Sequence, residues 1–179
     1  IFINLKSTNN FIILYPRIIS LILKDVLIFD KIKKNFFFQK IRSYNDLLTV
    51  HEVFSEENYN LKVFKSYEDI LIEYHRILEL KNLPLVIDCG SNIGLSGKYF
   101  SITYPDAVIV GIEPDIDNVA LAIKNNNSAN VSFIKGAILQ KDGYCEFLDK
   151  PNCPNNQFQI KMTKSKNASS INAFSIPSI

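Results

Sequence analysis

The sequence predicts an α/β fold built on a parallel sheet, and three observations lead there. Short apolar runs alternate with helical patterns from Leu85 to Ile134, the rhythm of strand–helix–strand units. Ala107 to Ile112 is continuously apolar, as expected of a strand covered on both faces. A glycine-rich turn, Asp88-Cys89-Gly90-Ser91-Asn92-Ile93-Gly94, joins the first strand to the helix after it, and Glu113 ends the second strand.

The bulk properties bound what surrounds that unit. The chain has 179 residues, 47% of them hydrophobic, with a formal net charge of +2. That suits one domain with a short extension and argues against global disorder. The charge is too small for the strong basic face of a nucleic-acid binder, so no nucleic-acid partner is expected. Cys89, Cys145 and Cys153 are odd in number and match no zinc spacing. They point to a reduced, cytoplasmic setting with no metal. The apolar N-terminus lacks a signal-peptide cleavage pattern. Its longest run is cut by Arg17, Lys24 and Asp25, short of the ~20 residues a crossing needs, so no transmembrane segment is expected. The oligomeric state is not legible. A chain that begins at Ile1 and ends just past an extended-looking Ser175-Ile176-Pro177-Ser178 reads as a fragment.

Taken in order, Pro16 stands where a first-turn helical proline would. Ile18, Ile19, Ile22, Val26, Phe29 and Ile32 then recur at helical spacing, with Lys31, Lys33 and Lys34 in the last turn. Residues 17–34 therefore read as an amphipathic helix. Its polar face mixes acids and bases, which favours packing on the core over a membrane surface. Residues 67–82 read as a second helix, stopped by Pro84. Residues 1–83 thus form an expected N-terminal helical extension, and 84–179 a partial sheet domain. There, Leu85–Asp88 is a strand, 95–103 a helix, Ala107–Ile112 a strand, 116–126 a helix and Val131–Ile134 a third strand. Ile138 to Leu148 reads as strand or hairpin around Asp142-Gly143, and residues 150–172 as loop.

The chemistry concentrates at the glycine turn. Glycines at a strand-to-helix junction let a ligand approach the backbone without meeting a Cβ. Asp88 ends its strand at the carboxyl edge, where open α/β sheets bind ligands. Glu113 follows Gly90 by about twenty residues, the place of an acid that accepts hydrogen bonds from both ribose hydroxyls. Pro114 aims it. Gly90, Gly94 and Gly97 do not make the G-x-G-x-x-G of a dinucleotide site. S-adenosylmethionine has no phosphate, and its ammonium and carboxylate suit Asp88 and the turn amides. The candidate cofactor-binding residues are Asp88, Gly90, Ser91, Asn92, Gly94 and Glu113. Ser91 and Asn92 are equally common in turns for purely local reasons. His51 and His75 read as surface or packing residues, Cys89 as a small apolar filler, and Ala137 as a small residue near the adenine or simply packed.

At these residues the chain resembles the FkbM-type methyltransferases. Val86 to Ser96 is similar to the family's first motif, hydrophobic-Asp-x-Gly-Ala/Ser-Asn-x-Gly. Gly111-Ile112-Glu113-Pro114-Asp115 and Asn118 resemble its glutamate–proline motif. Arg42-Ser43-Tyr44-Asn45-Asp46 and the stretch from Val53-Phe54 to Tyr59 resemble its lead-in. The resemblance spans roughly residues 40–148. It implies a Rossmann-like class I methyltransferase fold, a three-layer α/β/α sandwich with an incomplete sheet here. It also implies methyl transfer from S-adenosylmethionine, usually to a hydroxyl on a small molecule, polyketide or glycan. The family's Lys-x-Asp-x-Glu-Gly segment is absent, so the catalytic residues are unknown and the chain alone is expected to be inactive. The alternatives are an inactive cofactor-binding remnant and an NAD-dependent dehydrogenase.

Overall fold

The computed structural model describes residues 3–16, 25–148, 159–167 and 169–178. The N-terminal region opens with four strands, β1 (Ile3–Ser7), β2 (Phe11–Pro16), β3 (Asp25–Asp30) and β4 (Asn35–Lys40). They form an antiparallel meander in chain order. This corrects the helix expected over 17–34. Residues 17–24 lie outside the described residues, but 25–30 are strand and 31–34 a turn. Val26 to Phe29 is an unbroken apolar run, and such a run carries no period of its own. Its β-branched and aromatic residues favour a strand, and Phe36-Phe37-Phe38 supplies the partner, with Ile28 opposite Phe37.

Helical structure follows. Helix α1 (Tyr44–Val50) is capped by Ser43, whose side chain accepts the Asp46 N–H. A π turn (His51–Ser55) continues it, and α2 (Tyr67–Glu79) matches the second expected helix. The N-terminal region is therefore a sheet followed by helices, and its wholly helical reading fails.

The parallel unit forms as expected. Strands β5 (Leu85–Cys89), β6 (Val108–Glu113) and β7 (Val131–Lys135) pair in the order β5-β6-β7. Helix α3 (Leu95–Thr103) links the first pair and α4 (Ile116–Asn125) the second. Register sets Asp88 beside Gly111 and Glu113 beside Lys135. Both helices pack on one face. A Cβ at Gly97 in α3 would touch Phe133, Val131 and Ile109, and one at Gly94 would meet Phe133 and Ala122 of α4. On the opposite face Leu85 and Cys89 are exposed and Ile134 is largely so. The described residues set α3 and α4 between β5–β7 and the first sheet, and do not show the three-layer α/β/α arrangement expected.

A third sheet takes β8 (Ala137–Ile138), β9 (Gly143–Phe147), β10 (Ile160–Thr163) and β11 (Ile171–Phe174) in the order β10-β9-β11-β8. Of the strand or hairpin expected from Ile138 to Leu148, the strand forms, as β9, and the hairpin around Asp142-Gly143 does not. β8 instead pairs with β11 in parallel, and β9 lies antiparallel between β10 and β11. β10 and β11 also replace part of the loop expected over 150–172. Each is four residues long, too short to stand out among Asn, Ser and Lys. The tail at Ile176–Ser178 is a 3-10 turn, not extended.

One core joins the first sheet to the parallel unit. Phe11, Ile13, Val26 and Ile28 pack with Phe54, Ile93, Leu95, Tyr99 and Ile102. Phe54 is its hub, with ring centroids 5.1 Å from Phe11, 5.6 Å from Phe37 and 6.4 Å from Tyr99. Phe54→Ala is expected to lower unfolding free energy by about 3–5 kcal/mol, the usual result of emptying a buried aromatic site. Exposed Phe36→Ala should stay within about 0.5 kcal/mol. Urea denaturation compares the two, and equal losses would show that Phe54 is not the hub.

Candidate functional site

The site is assembled where β5 and β6 end side by side. The chain leaves β5 at Cys89 and turns over the end of β6. The Gly90 and Ser91 amides both donate to the Ile112 carbonyl, at 2.8 and 3.1 Å, and the Gly94 amide donates to the Ser91 carbonyl at 2.8 Å. Three residues of the turn have positive φ: Gly90 (+87°), Asn92 (+47°) and Gly94 (+78°). The strand thus becomes a helix within five residues, and α3 begins with Gly94 as its N-cap.

The two glycines serve different ends. A Cβ on Gly90 would meet nothing within 4 Å, so that side of the turn is open. A Cβ on Gly94 would stand 2.7 Å from Asn126 Nδ2 and 2.8 Å from both Ala122 and Phe133. The reading that a ligand excludes the Cβ at both positions is therefore corrected for Gly94. There the protein itself occupies the space, and glycine brings α3 close to α4 and β7. Gly111 is glycine for a similar reason, since a Cβ would stand 2.5 Å from Phe133 and 2.9 Å from Ser91.

Glu113 is the centre of the arrangement and is only 4% exposed. Its carboxylate accepts the Asn92 amide at 2.9 Å, the Asp115 amide at 3.0 Å and the Asn118 side-chain amide at 3.2 Å. Burial raises its pKa, and the three donors oppose that shift. Asn118 Oδ1 in turn accepts from Arg42 at 2.6 Å. Arg42 also donates to Asp46 through its backbone amide (2.7 Å) and Nε (3.2 Å). A continuous polar chain thus runs from α1 through Arg42, Asn118 and Glu113 to Asn92.

Asp88 stands across the turn. Its carboxylate accepts a short hydrogen bond from the Ser96 hydroxyl on α3. Burial pushes its pKa up, and the Ser96 bond opposes this. Tyr59 approaches the same pair, with its ring edge-on to Phe100 at 5.7 Å. Burial, then the negative charges of Asp88 and Glu52, raise the Tyr59 pKa. Asn125 and Asn126 clamp the turn from beneath. Their side chains donate to the Ile93 carbonyl at 3.0 Å and the Gly94 carbonyl at 2.8 Å.

The structure brings Asp88, Gly90, Asn92 and Glu113 together at one edge. Ser91 lies inward, 2% exposed, and its Oγ has no partner. Asn92 Oδ1 is likewise buried without one. Arg42, Asp46 and Asn118 stood in the family-like segments, but pattern alone gave them no role. Tyr59 and Ser96 stood in those segments too, equally without a role, and Asn125 and Asn126 carried no signal beyond ending a helix. Cys89 is exposed, so its reading as an apolar filler is corrected: it ends β5 on the face without helices. His75 is exposed beside Tyr74, and His51 lies 3.4 Å from Glu56. Ala137 packs with Cys145, Ile171 and Ala173.

With this geometry in view, comparison with known proteins finds a curated relative. The chain is 28% identical over 106 residues to Methyltransferase sdnD of Sordaria araneosa, covering 56% of this chain and 40% of that protein. The chain therefore spans well under half the length of the relative it matches. No family profile and no solved structure matches.

The glycines make a direct comparison possible. Gly94→Ala should cost the fold about 2–4 kcal/mol, from left-handed strain plus overpacking. Gly90→Ala carries only the strain, about 1–2 kcal/mol. Thermal denaturation of both variants checks this, and a larger loss at Gly90 would reverse the assignment.

Proposed function

We propose that this chain is the cofactor-binding part of an S-adenosylmethionine-dependent methyltransferase of the FkbM type, acting on a hydroxyl of a small molecule or glycan. The observation that carries the reading is a buried carboxylate, Glu113, held by three donors beside an open glycine turn that follows Asp88's strand. The residues fit the cofactor. Gly90 leaves room against the backbone, and buried Asn92 Oδ1 beside it is without a partner. Similarity to a methyltransferase supports the same class. The glycine spacing counts against an NAD-dependent dehydrogenase, and the cytoplasmic setting is part of the proposal.

Asp88 would hold the methionine end and Glu113 the ribose; the Gly90, Ser91, Asn92 and Gly94 amides are already bonded within the protein, so the expectation that the turn amides hold the ligand is corrected. A carboxylate has about four acceptor positions, and three of Glu113's are taken within the protein. One direct ribose bond is the natural number, fewer than the two expected from spacing alone. When bound, adenosylmethionine supplies an activated methyl group. The protein's part is to fix its orientation. Ser96 holds Asp88 from one side, and the Arg42–Asn118 pair holds Glu113 from the other. The proposal assigns no base to any residue here.

Calorimetry with adenosylhomocysteine, adenosylmethionine and NAD tests the reading. Either sulfur ligand should bind, and NAD binding alone would refute it. Glu113→Ala would orphan three donors and harm folding as well as binding, so Glu113→Gln is the better probe. Loss of one charge-assisted bond predicts about tenfold weaker adenosylhomocysteine binding or more. Unchanged affinity would show that Glu113 serves the fold alone.

The pH dependence has a definite sign. The ionised forms of Asp88 and Glu113 bind, and burial raises both pKa values. Affinity should therefore fall as pH is lowered, beginning above the ordinary carboxylate value of about 4. A flat profile down to that value would contradict the assigned roles.

A further inference from the structure

The first sheet has an anomaly that the cofactor site does not explain. An antiparallel sheet with one face on the core normally turns polar residues outward. The inner face of β1–β4 is core, through Phe11, Ile13, Val26 and Ile28. The outer face is apolar too. Register sets Leu5 beside Leu14, Leu14 beside Leu27 and Leu27 beside Phe38. A second row sets Ile12 beside Phe29 and Phe29 beside Phe36, whose rings lie 4.8 Å apart. Leu5, Phe36 and Phe38 are 62%, 60% and 63% exposed. Seven large apolar side chains in register form a patch of the kind that marks an interaction surface.

Charge indicates what meets it. Residues 1–42 contain eight Lys or Arg and two Asp, although the whole chain has a net charge of only +2. The remaining residues are therefore net acidic, and the molecule is polarised. Of the two acids, Asp30 is buried, and its carboxylate caps the turn amides of Ile32 and Lys33. Asp25 pairs with Lys40 at the patch border, at 3.1 Å. Lys31, Lys33 and Lys34 follow in the β3–β4 turn around exposed Ile32 and make no ion pair among the described residues. Apolar area beside uncompensated cations is the combination that binds a protein to an anionic bilayer surface.

We propose that the outer face of β1–β4 docks onto an anionic lipid surface, with the 31–34 turn at the headgroups and Phe36, Phe38 and Leu5 in the interface. The aliphatic rows favour lipid over a base-stacking partner, because Leu and Ile offer no aromatic platform. No helix among the described residues is long and apolar enough to cross a membrane. The attachment proposed is peripheral.

Sedimentation of the full chain with vesicles tests this. One set holds equal parts phosphatidylcholine and phosphatidylglycerol, the other phosphatidylcholine alone. Binding should be strong to the first, weak to the second, and should weaken as salt rises. Phe36→Ser with Phe38→Ser should reduce partitioning about tenfold or more, with far-UV circular dichroism unchanged. The salt response of the parent chain needs no variant and stands whether or not that variant folds. Equal partitioning into both vesicle types would overturn the proposal. So would a lipid-free dimer, seen by light scattering, that the double variant dissolves, because the face would then join two copies of the chain.

Discussion

The organisation of the site depends on one buried carboxylate. Glu113 sits at the end of β6 with almost no access to water, and an ionised group there is tolerable only when hydrogen-bonded. Its three donors come from three places: the glycine turn, the residue that caps α4, and α4 itself. Satisfying that one charge fixes the turn against the strand end and sets the start of α4. The Asn92 backbone, with its positive φ, is held by this contact.

The network also explains why the N-terminal region belongs to the site. Arg42 spans α1 and Asn118 of α4, so residues before the parallel sheet orient a side chain within it. On the other side Gln39 and Lys40 of β4 bond Asn125 at the end of the same helix. Phe54 and Tyr99 join the same regions through apolar packing. The glycine turn is thus held from above by Glu113, from beneath by Asn125 and Asn126, and laterally by the shared core.

The sequence was most legible where pattern and spacing are local. The strand, turn, helix and strand from Leu85 to Glu113 lie where the sequence pattern put them, because Pro84, the glycine turn, Pro105 and Pro114 bound each short apolar run. The first sheet was not legible. Val26 to Phe29 satisfies strand and helix patterns alike, and only its pairing with Phe36-Phe37-Phe38, a non-local fact, decides between them. β10 and β11 were hidden by brevity and polar neighbours. Within the site, Gly90, which borders open space, and the packing Gly94 look alike in sequence. Their difference is the presence of Asn126, Ala122 and Phe133, which come from the next helix and strand. The Arg42–Asn118 bond is equally invisible without the fold.

The account makes the Glu113 network the ribose-holding part of a methyl-donor site, and its supports can be probed without touching Glu113. Titration of adenosylhomocysteine into Asn118→Ala is the most direct measurement. Asn118 faces the carboxylate and not the open side of the turn, so its removal should act through orientation alone. The account predicts affinity about tenfold lower than in the parent chain. Unchanged affinity in a folded Asn118→Ala protein would contradict it, and would reduce the network to a structural clamp.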